Sequence, residues 1–290
     1  MLEQHRQAAL TGWGAGTRYV LQLPRQAQAG HAGALLGKAA GSSLEFMDYR
    51  DYQPGDDLRS VDWAAFARTD RLMVRLYRQE VCPHLDLVVD CSASMALEDT
   101  DKARATMILA GLLAAAAANA GYTCRLHRLA QQLEPLPSGG RDPRHWQGLD
   151  LDYRGNSAEG LLRWAGAFRP RSMRILISDL LWPSHPQAVL MRLSHLGSIS
   201  VIAAVLANRD VDGPEDGDLQ LVDSETGEVQ PVLIDRSARR RYRQALGRHQ
   251  QSWQDACRSL GAVLVSIRAE TFCRDMDVSG LLANDVMRVC

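Results

Sequence analysis

The chain has 290 residues, of which 46% are hydrophobic and 23% charged, with a formal net charge of -1. That is globular composition with ample material for a core, and its balance of charge gives no reason to expect nucleic acid or an anionic membrane as a partner. The six cysteines include no C-x-x-C pair and no histidines at metal-ligand spacing, which argues against zinc. The N-terminus lacks the apolar run of a signal peptide, and the longest apolar run, Met107 to Ala118, falls short of the roughly 20 residues of a membrane span. The expectation is a cytoplasmic protein with reduced thiols and no membrane span.

Residues 1–40 are rich in Ala, Gln and Gly, with a short helix or strand in Arg18–Leu23 and a glycine-rich loop over Gln26–Ser43. "LEFMDYRDY" reads as extended, "QPGDD" as a turn and "LRSVDWAAFART" as a short helix. "RLMVRLYRQE" alternates with period two, as a strand with one exposed face does. A buried strand over 85–90 follows, then a helix over about 101–120 that is apolar nearly all round and so needs cover on most sides. "YTCRLHRLA" reads as a strand, 135–150 as a Pro/Gly-rich connection, and "SAEGLLRWAGAF" as a helix. Next come the strand "RILISDL", the helix "PQAVLMRLSHLG" and the strand "SISVIAAVLA". A hairpin turns around Thr226-Gly227, a long helix ends at Gly261, and "AVLVSI" is the last core strand. This alternation predicts an α/β fold: a mostly parallel sheet with helices on both faces, plus an N-terminal β/α extension. The expected division is 1–80 for the extension and 81–290 for the sheet domain.

Two predicted strands end in acids, Asp90 and Asp179, and open α/β sheets bind ligands at the carboxyl ends of their strands. Ser92 and Ser94 follow Asp90 on alternate positions, and Ser157 precedes a helix. Asp90, Ser92, Ser94, Ser157 and Asp179 offer oxygen alone, a hard-cation set suited to Mg²⁺ or Mn²⁺. Capping and turn formation are the plainer roles for Asp and Ser in such places. No G-x-S-x-G and no Walker A motif is present, and Cys91, beside carboxylates, is a poor candidate nucleophile.

The run Asp90-Cys91-Ser92-Ala93-Ser94, with Ser157 and Asp179 later, resembles the adhesion-type metal site of the von Willebrand factor A domain, which uses D-x-S-x-S, a Thr and an Asp. The departure is Ser157, which keeps the hydroxyl and loses the methyl that fixes the rotamer. Upstream, Glu45, Phe46, Arg50, Tyr52, Pro54, Gly55, Asp56, Asp57, Arg59, Asp62, Trp63, Ala67, Arg68, Thr69, Leu72, Val74 and Glu80 resemble the signature of the bacterial family called domain of unknown function 58. Val61 stands in place of the usual Ile. Together the two resemblances cover about residues 31–290. They imply a metal-dependent protein-interaction module without catalytic residues, an adaptor whose bound Mg²⁺ takes an acidic residue of a protein partner. Because relatives are often encoded beside MoxR-type AAA+ ATPases, the resemblance implies such a partner and a part in protein remodelling or complex assembly. A metal-dependent phosphoester hydrolase and a scaffold with a vestigial site are the alternatives. The signature stretch itself reads either as scaffold, with Trp63 and Phe66 anchoring a helix, or as a surface that partners read.

Overall fold

The computed structural model describes residues 2–22, 46–52, 61–77, 83–137, 140, 142–166, 168–197 and 199–290. The predicted loop over Gln26–Ser43 and the "QPGDD" turn lie outside the described residues. The chain divides into two units, residues 1–30 with 83–290, and residues 31–82.

The sheet-bearing unit begins with helix α1 (Glu3–Gly16) and strand β1 (Tyr19–Leu21). The smaller unit carries β2 (Phe46–Asp51), α2 (Trp63–Thr69) and β3 (Met73–Tyr77), with β2 and β3 antiparallel. The chain then runs through β4 (His84–Asp90), α3 (Lys102–Asn119), β5 (Thr123–Leu129), β6 (Leu133–Pro135), α4 (Ser157–Leu162), β7 (Met173–Ser178) and α5 (Pro186–Ser194). It continues with β8 (Ile199–Leu206), α6 (Asn208–Asp212), β9 (Gly217–Val222), β10 (Val229–Ile234) and α7 (Arg236–Leu260). It closes with β11 (Val263–Arg268), α8 (Ala269–Asp275), α9 (Ser279–Ala283) and β12 (Met287–Val289).

Six strands form one sheet in the order β11-β8-β7-β4-β5-β6, parallel throughout except for the antiparallel edge pair β5–β6. Side-chain alternation along β4 gives the sheet two buried faces. Leu85, Leu87 and Val89 pack in one core with Ile108 and Leu112 of α3 and Phe272 of α8. Val88 packs in the other core with Leu161, Val189, Leu190 and Trp253 of α4, α5 and α7. The expected α/β fold, with helices on both faces of a mostly parallel sheet, is the one observed.

α3 is apolar on nearly every side because it is covered on nearly every side. α1 supplies cover that the sequence did not announce, since no helix was expected over 3–16. The two helices approach closely through glycine: a Cβ on Gly12 would meet the Ile108 carbonyl oxygen at 1.8 Å, and one on Gly111 would meet that of Ala9 at 2.0 Å. β1 pairs with β12, and residues 2–22 belong with the sheet-bearing unit.

In the smaller unit, α2 is capped by Asp62, whose Oδ1 accepts the Ala65 N–H at 2.9 Å. Among the described residues of this unit, Val61, Ala65 and Val74 are buried apolar side chains, whereas Trp63 is 56% exposed with its ring edge-on to Phe66. The anchoring role expected of Trp63 therefore falls to smaller side chains.

Candidate metal site at the ends of two central strands

The chain leaves β4 toward β5 on one side and later returns to place β7 on the other, so β4 and β7 flank the point where strand order reverses. A crevice opens at such a point beyond the strand ends. Asp90 ends β4, and Asp179 directly follows β7.

Three local devices gather the hydroxyls there. Asp90 Oδ1 accepts the Ser92 N–H at 3.0 Å, folding the chain back after the strand. A 3₁₀ turn over Ala93–Ala96 brings Ser94 Oγ within 3.0 Å of Ser92 Oγ. The segment before α4 is then pulled in by backbone pairing: Tyr153 N–H donates to Cys91 O at 3.0 Å, and Ala93 N–H donates to Tyr153 O at 2.8 Å. Gly155 turns the chain at φ 134°, where a Cβ would press on the Tyr153 hydroxyl, and Asn156 caps α4. Ser157 thereby reaches Asp90, donating to Oδ1 at 2.8 Å. All five sequence-predicted residues lie at this rim, and four of them (Asp90, Ser92, Ser94 and Ser157) form one hydrogen-bonded cluster.

Asp179 is held differently. Its Oδ1 accepts the Leu181 N–H at 3.0 Å, and its Oδ2 takes the Lys102 ammonium at 2.7 Å. Lys102 is fully buried and also bonds Asp210 Oδ2 at 3.0 Å. Burial opposes the lysine's charge, but Asp179 and Asp210 outweigh it and hold its pKa above the ordinary value. Leu180 adopts φ +61°, an uncommon conformation for a bulky residue, with its N–H on Ser178 Oγ. Ser178 Oγ in turn donates to Asp90 Oδ2 at 2.7 Å.

Sequence reasoning missed Lys102, Ser178, Asp210 and Glu225. Lys102 left a signal, an ammonium at the head of a largely apolar helix, which has to find an acid when buried. Asp210 and Glu225 left none, because they come from α6 and from the β9–β10 turn, far along the chain.

Asp90 is wholly buried, and burial first, then the charge of Asp179, pushes its carboxyl up to about 6. Burial, followed by the charges of Asp179 and Asp90, likewise pushes Glu225 up to about 7. The site thus carries more negative charge than Lys102 balances, in a place poor in water. Burial and the neighbouring Asp90 hold the Cys91 thiol far above its ordinary range, so it stays protonated.

Among the described residues no group of three or more His, Cys, Asp or Glu side chains is placed to hold a metal ion. Any cation here depends on hydroxyls. The donor set fits a small hard dication: the Ser92 and Ser94 hydroxyls lie 3.0 Å apart, the Ser157 hydroxyl lies 2.8 Å from the Asp90 carboxylate, and Asp179 follows the neighbouring strand. Asp179, already committed to Lys102 and a backbone N–H, fits an outer position better than direct ligation.

The match to known proteins extends well beyond this cluster. The model of the family described as "Protein of unknown function DUF58" matches residues 48–252. The chain belongs to the DUF58 family. Uncharacterized protein Rv1480 of Mycobacterium tuberculosis is 30% identical over 247 residues, covering 81% of this chain and 78% of that protein, and uncharacterized protein Mb1516 of Mycobacterium bovis matches to the same extent. The solved structure of BatB, a conserved hypothetical protein from Bacteroides thetaiotaomicron, aligns with a TM-score of 0.39 at 12% identity, over 69% of this chain and 98% of that one. An aerotolerance-related membrane protein from Bacteroides fragilis aligns with a TM-score of 0.38 at 13% identity, over 70% and 96%. In this DUF58 chain, no helix among the described residues is long and apolar enough to cross a membrane.

Proposed function

We propose that this DUF58 protein is a divalent-cation-dependent protein-interaction module. In this reading the hydroxyls of Ser92, Ser94 and Ser157 hold Mg²⁺ or Mn²⁺, while Asp90 and Asp179 balance its charge from behind. When bound, the cation supplies an electrophilic position for an acidic residue of a partner protein. Ser157 keeps Asp90 oriented and the Ser178 hydroxyl does the same from the other side, so the carboxylate is positioned in advance. The partner class proposed is a MoxR-type AAA+ ATPase, with this chain as adaptor in remodelling or assembly.

The observation that carries the reading is the convergence of Asp90, Ser92, Ser94 and Ser157 on one hydrogen-bonded cluster at the switch point of the sheet. A helix cap or turn accounts for Asp or Ser one at a time. It does not account for residues 67 positions apart meeting side chain to side chain. The test is retention of a MoxR-type ATPase on the immobilised full chain. Retention is expected with Mg²⁺ or Mn²⁺, and loss with chelator or with Ser92→Ala. Full-strength retention in chelator overturns the proposal.

A further inference from the structure

We infer that Glu225 is the chain's own carboxylate for this site, held over the serine cluster by the β9–β10 hairpin in the place a partner's acid is proposed to take. The inference rests on the divalent-cation reading above and adds a built-in competitor to it.

Two independent placements locate the hairpin tip. Val222 and Ser224 line a cavity of about 670 Å³ together with Ala93 and Ala96, and Ala93 lies between Ser92 and Ser94 in the chain. On the other side, a Cβ on Gly227 would come within 3.7 Å of the Arg154 guanidinium, three residues before Ser157. The tip therefore lies near both the loop carrying Ser92 and Ser94 and the loop carrying Ser157. Burial, and after it the charges of Asp179 and Asp90, hold the Glu225 carboxyl above its ordinary range, in keeping with that location.

The turn is built to present this residue. Asp223 Oδ1 accepts the N–H groups of Glu225 at 2.8 Å and Thr226 at 2.9 Å, and Gly227 takes a positive φ of 74° to close the turn. Glu225 is half-buried while its neighbours Thr226, Gly227 and Glu228 are exposed. A glutamate at a hairpin tip has open water available. Half-burying one within the field of two aspartates costs free energy unless a cation joins them. Ser92 and Ser157 are fully buried, and Ser94 is the one partly exposed hydroxyl of the three. A partner carboxylate would have to displace this hairpin, so the site is self-occupied until a partner arrives.

The experiment uses the full chain and Mn²⁺ alone, read by calorimetry and by water-proton relaxation of the bound ion. Four proteins are compared: wild type, Glu225→Gln, Glu228→Gln as the exposed control, and Asp90→Asn. Asp90→Asn should lose Mn²⁺ binding and Glu228→Gln should match wild type. Glu225→Gln should bind severalfold more weakly and show higher relaxivity, because a water replaces the carboxylate. Added acetate should lower that relaxivity in Glu225→Gln and leave wild type unchanged. Mn²⁺ binding that is absent in wild type, or unaffected by Asp90→Asn, defeats the site itself. Binding that depends on Asp90 but shows unchanged relaxivity in Glu225→Gln defeats the role of Glu225 alone, and a weaker affinity then reflects only its field.

Discussion

Replacing Asp90 by Asn should stabilise the metal-free protein while abolishing its response to Mg²⁺. Asp90 is wholly buried and its carboxyl is raised from 3.8 to about 6 by burial and by Asp179. A tenfold change in proton affinity between the folded and unfolded states corresponds to about 1.4 kcal/mol, so keeping Asp90 ionised near pH 7 costs the folded state about 3 kcal/mol. The sign follows from the raised value. The folded state binds the extra proton between about pH 6 and pH 4, so the metal-free protein gains stability as pH falls through that window. Asn carries no charge and escapes the penalty. One oxygen still accepts from Ser157 and Ser92, and its amide can donate to Ser178 in place of the accepted bond. With an unfolding entropy of about 2.1 cal/mol/K per residue, 3 kcal/mol raises the melting temperature by roughly 5 °C. Thermal unfolding in chelator and in excess Mg²⁺, at pH 7.5 and pH 5, checks all of this. Wild type should gain stability with Mg²⁺ and Asp90→Asn should not, and the advantage of the variant in chelator should shrink at pH 5. A variant less stable than wild type in chelator at pH 7.5 refutes the reasoning.

Lys102→Met should destabilise the chelated protein by about 3–5 kcal/mol, since it strands Asp179 and Asp210 as buried charges, and Mg²⁺ should recover part of the loss in denaturant melts. Ser157→Ala should weaken Mg²⁺ affinity in calorimetry, whereas Ser157→Thr should keep or tighten it, because the hydroxyl remains and its rotamer is restricted. Trp63→Ala should move the melting temperature by little, because the side chain is 56% exposed, and should reduce capture of a MoxR-type ATPase if this surface is read by the partner. Asp86 is pushed up by burial, yet hydrogen bonds from His127, His84 and Ser172 outweigh this and hold its carboxyl well below the usual range. Its contribution is full above about pH 4 and fades below it, so Asp86→Asn should destabilise at pH 7 and by less at pH 3 in denaturant titrations.

Much of the fold is legible because its signals are local. β4, β7 and β8 read as short apolar runs bounded by turn residues, and Gly261 does end α7 in the left-handed conformation the sequence implies. α1 was harder, because its contact with α3 runs through glycine and alanine, and small residues give little hydrophobic periodicity. The end of the chain was missed for a related reason: α8, α9 and β12 are too short to establish a period. At the site, Asp90, Ser92 and Ser94 lie within five residues of one another, so spacing alone groups them. Ser157 and Asp179 are placed by the topology of the sheet. Lys102 and Glu225 depend on which helix and which hairpin fold back over the strand ends, and spacing in the chain does not encode that. Trp63 shows the reverse failure. Its size suggested burial, yet it is 56% exposed while the smaller Val61, Ala65 and Val74 are buried.

The central claim is that the serine cluster holds a divalent cation, and anomalous diffraction from a crystal grown with Mn²⁺ tests it most directly. The expected result is a single strong peak among the hydroxyls of Ser92, Ser94 and Ser157, with the Glu225 carboxylate in its coordination sphere and Asp179 still on Lys102. A peak elsewhere, or a cluster that keeps its hydrogen bonds with no peak at saturating Mn²⁺, contradicts the account.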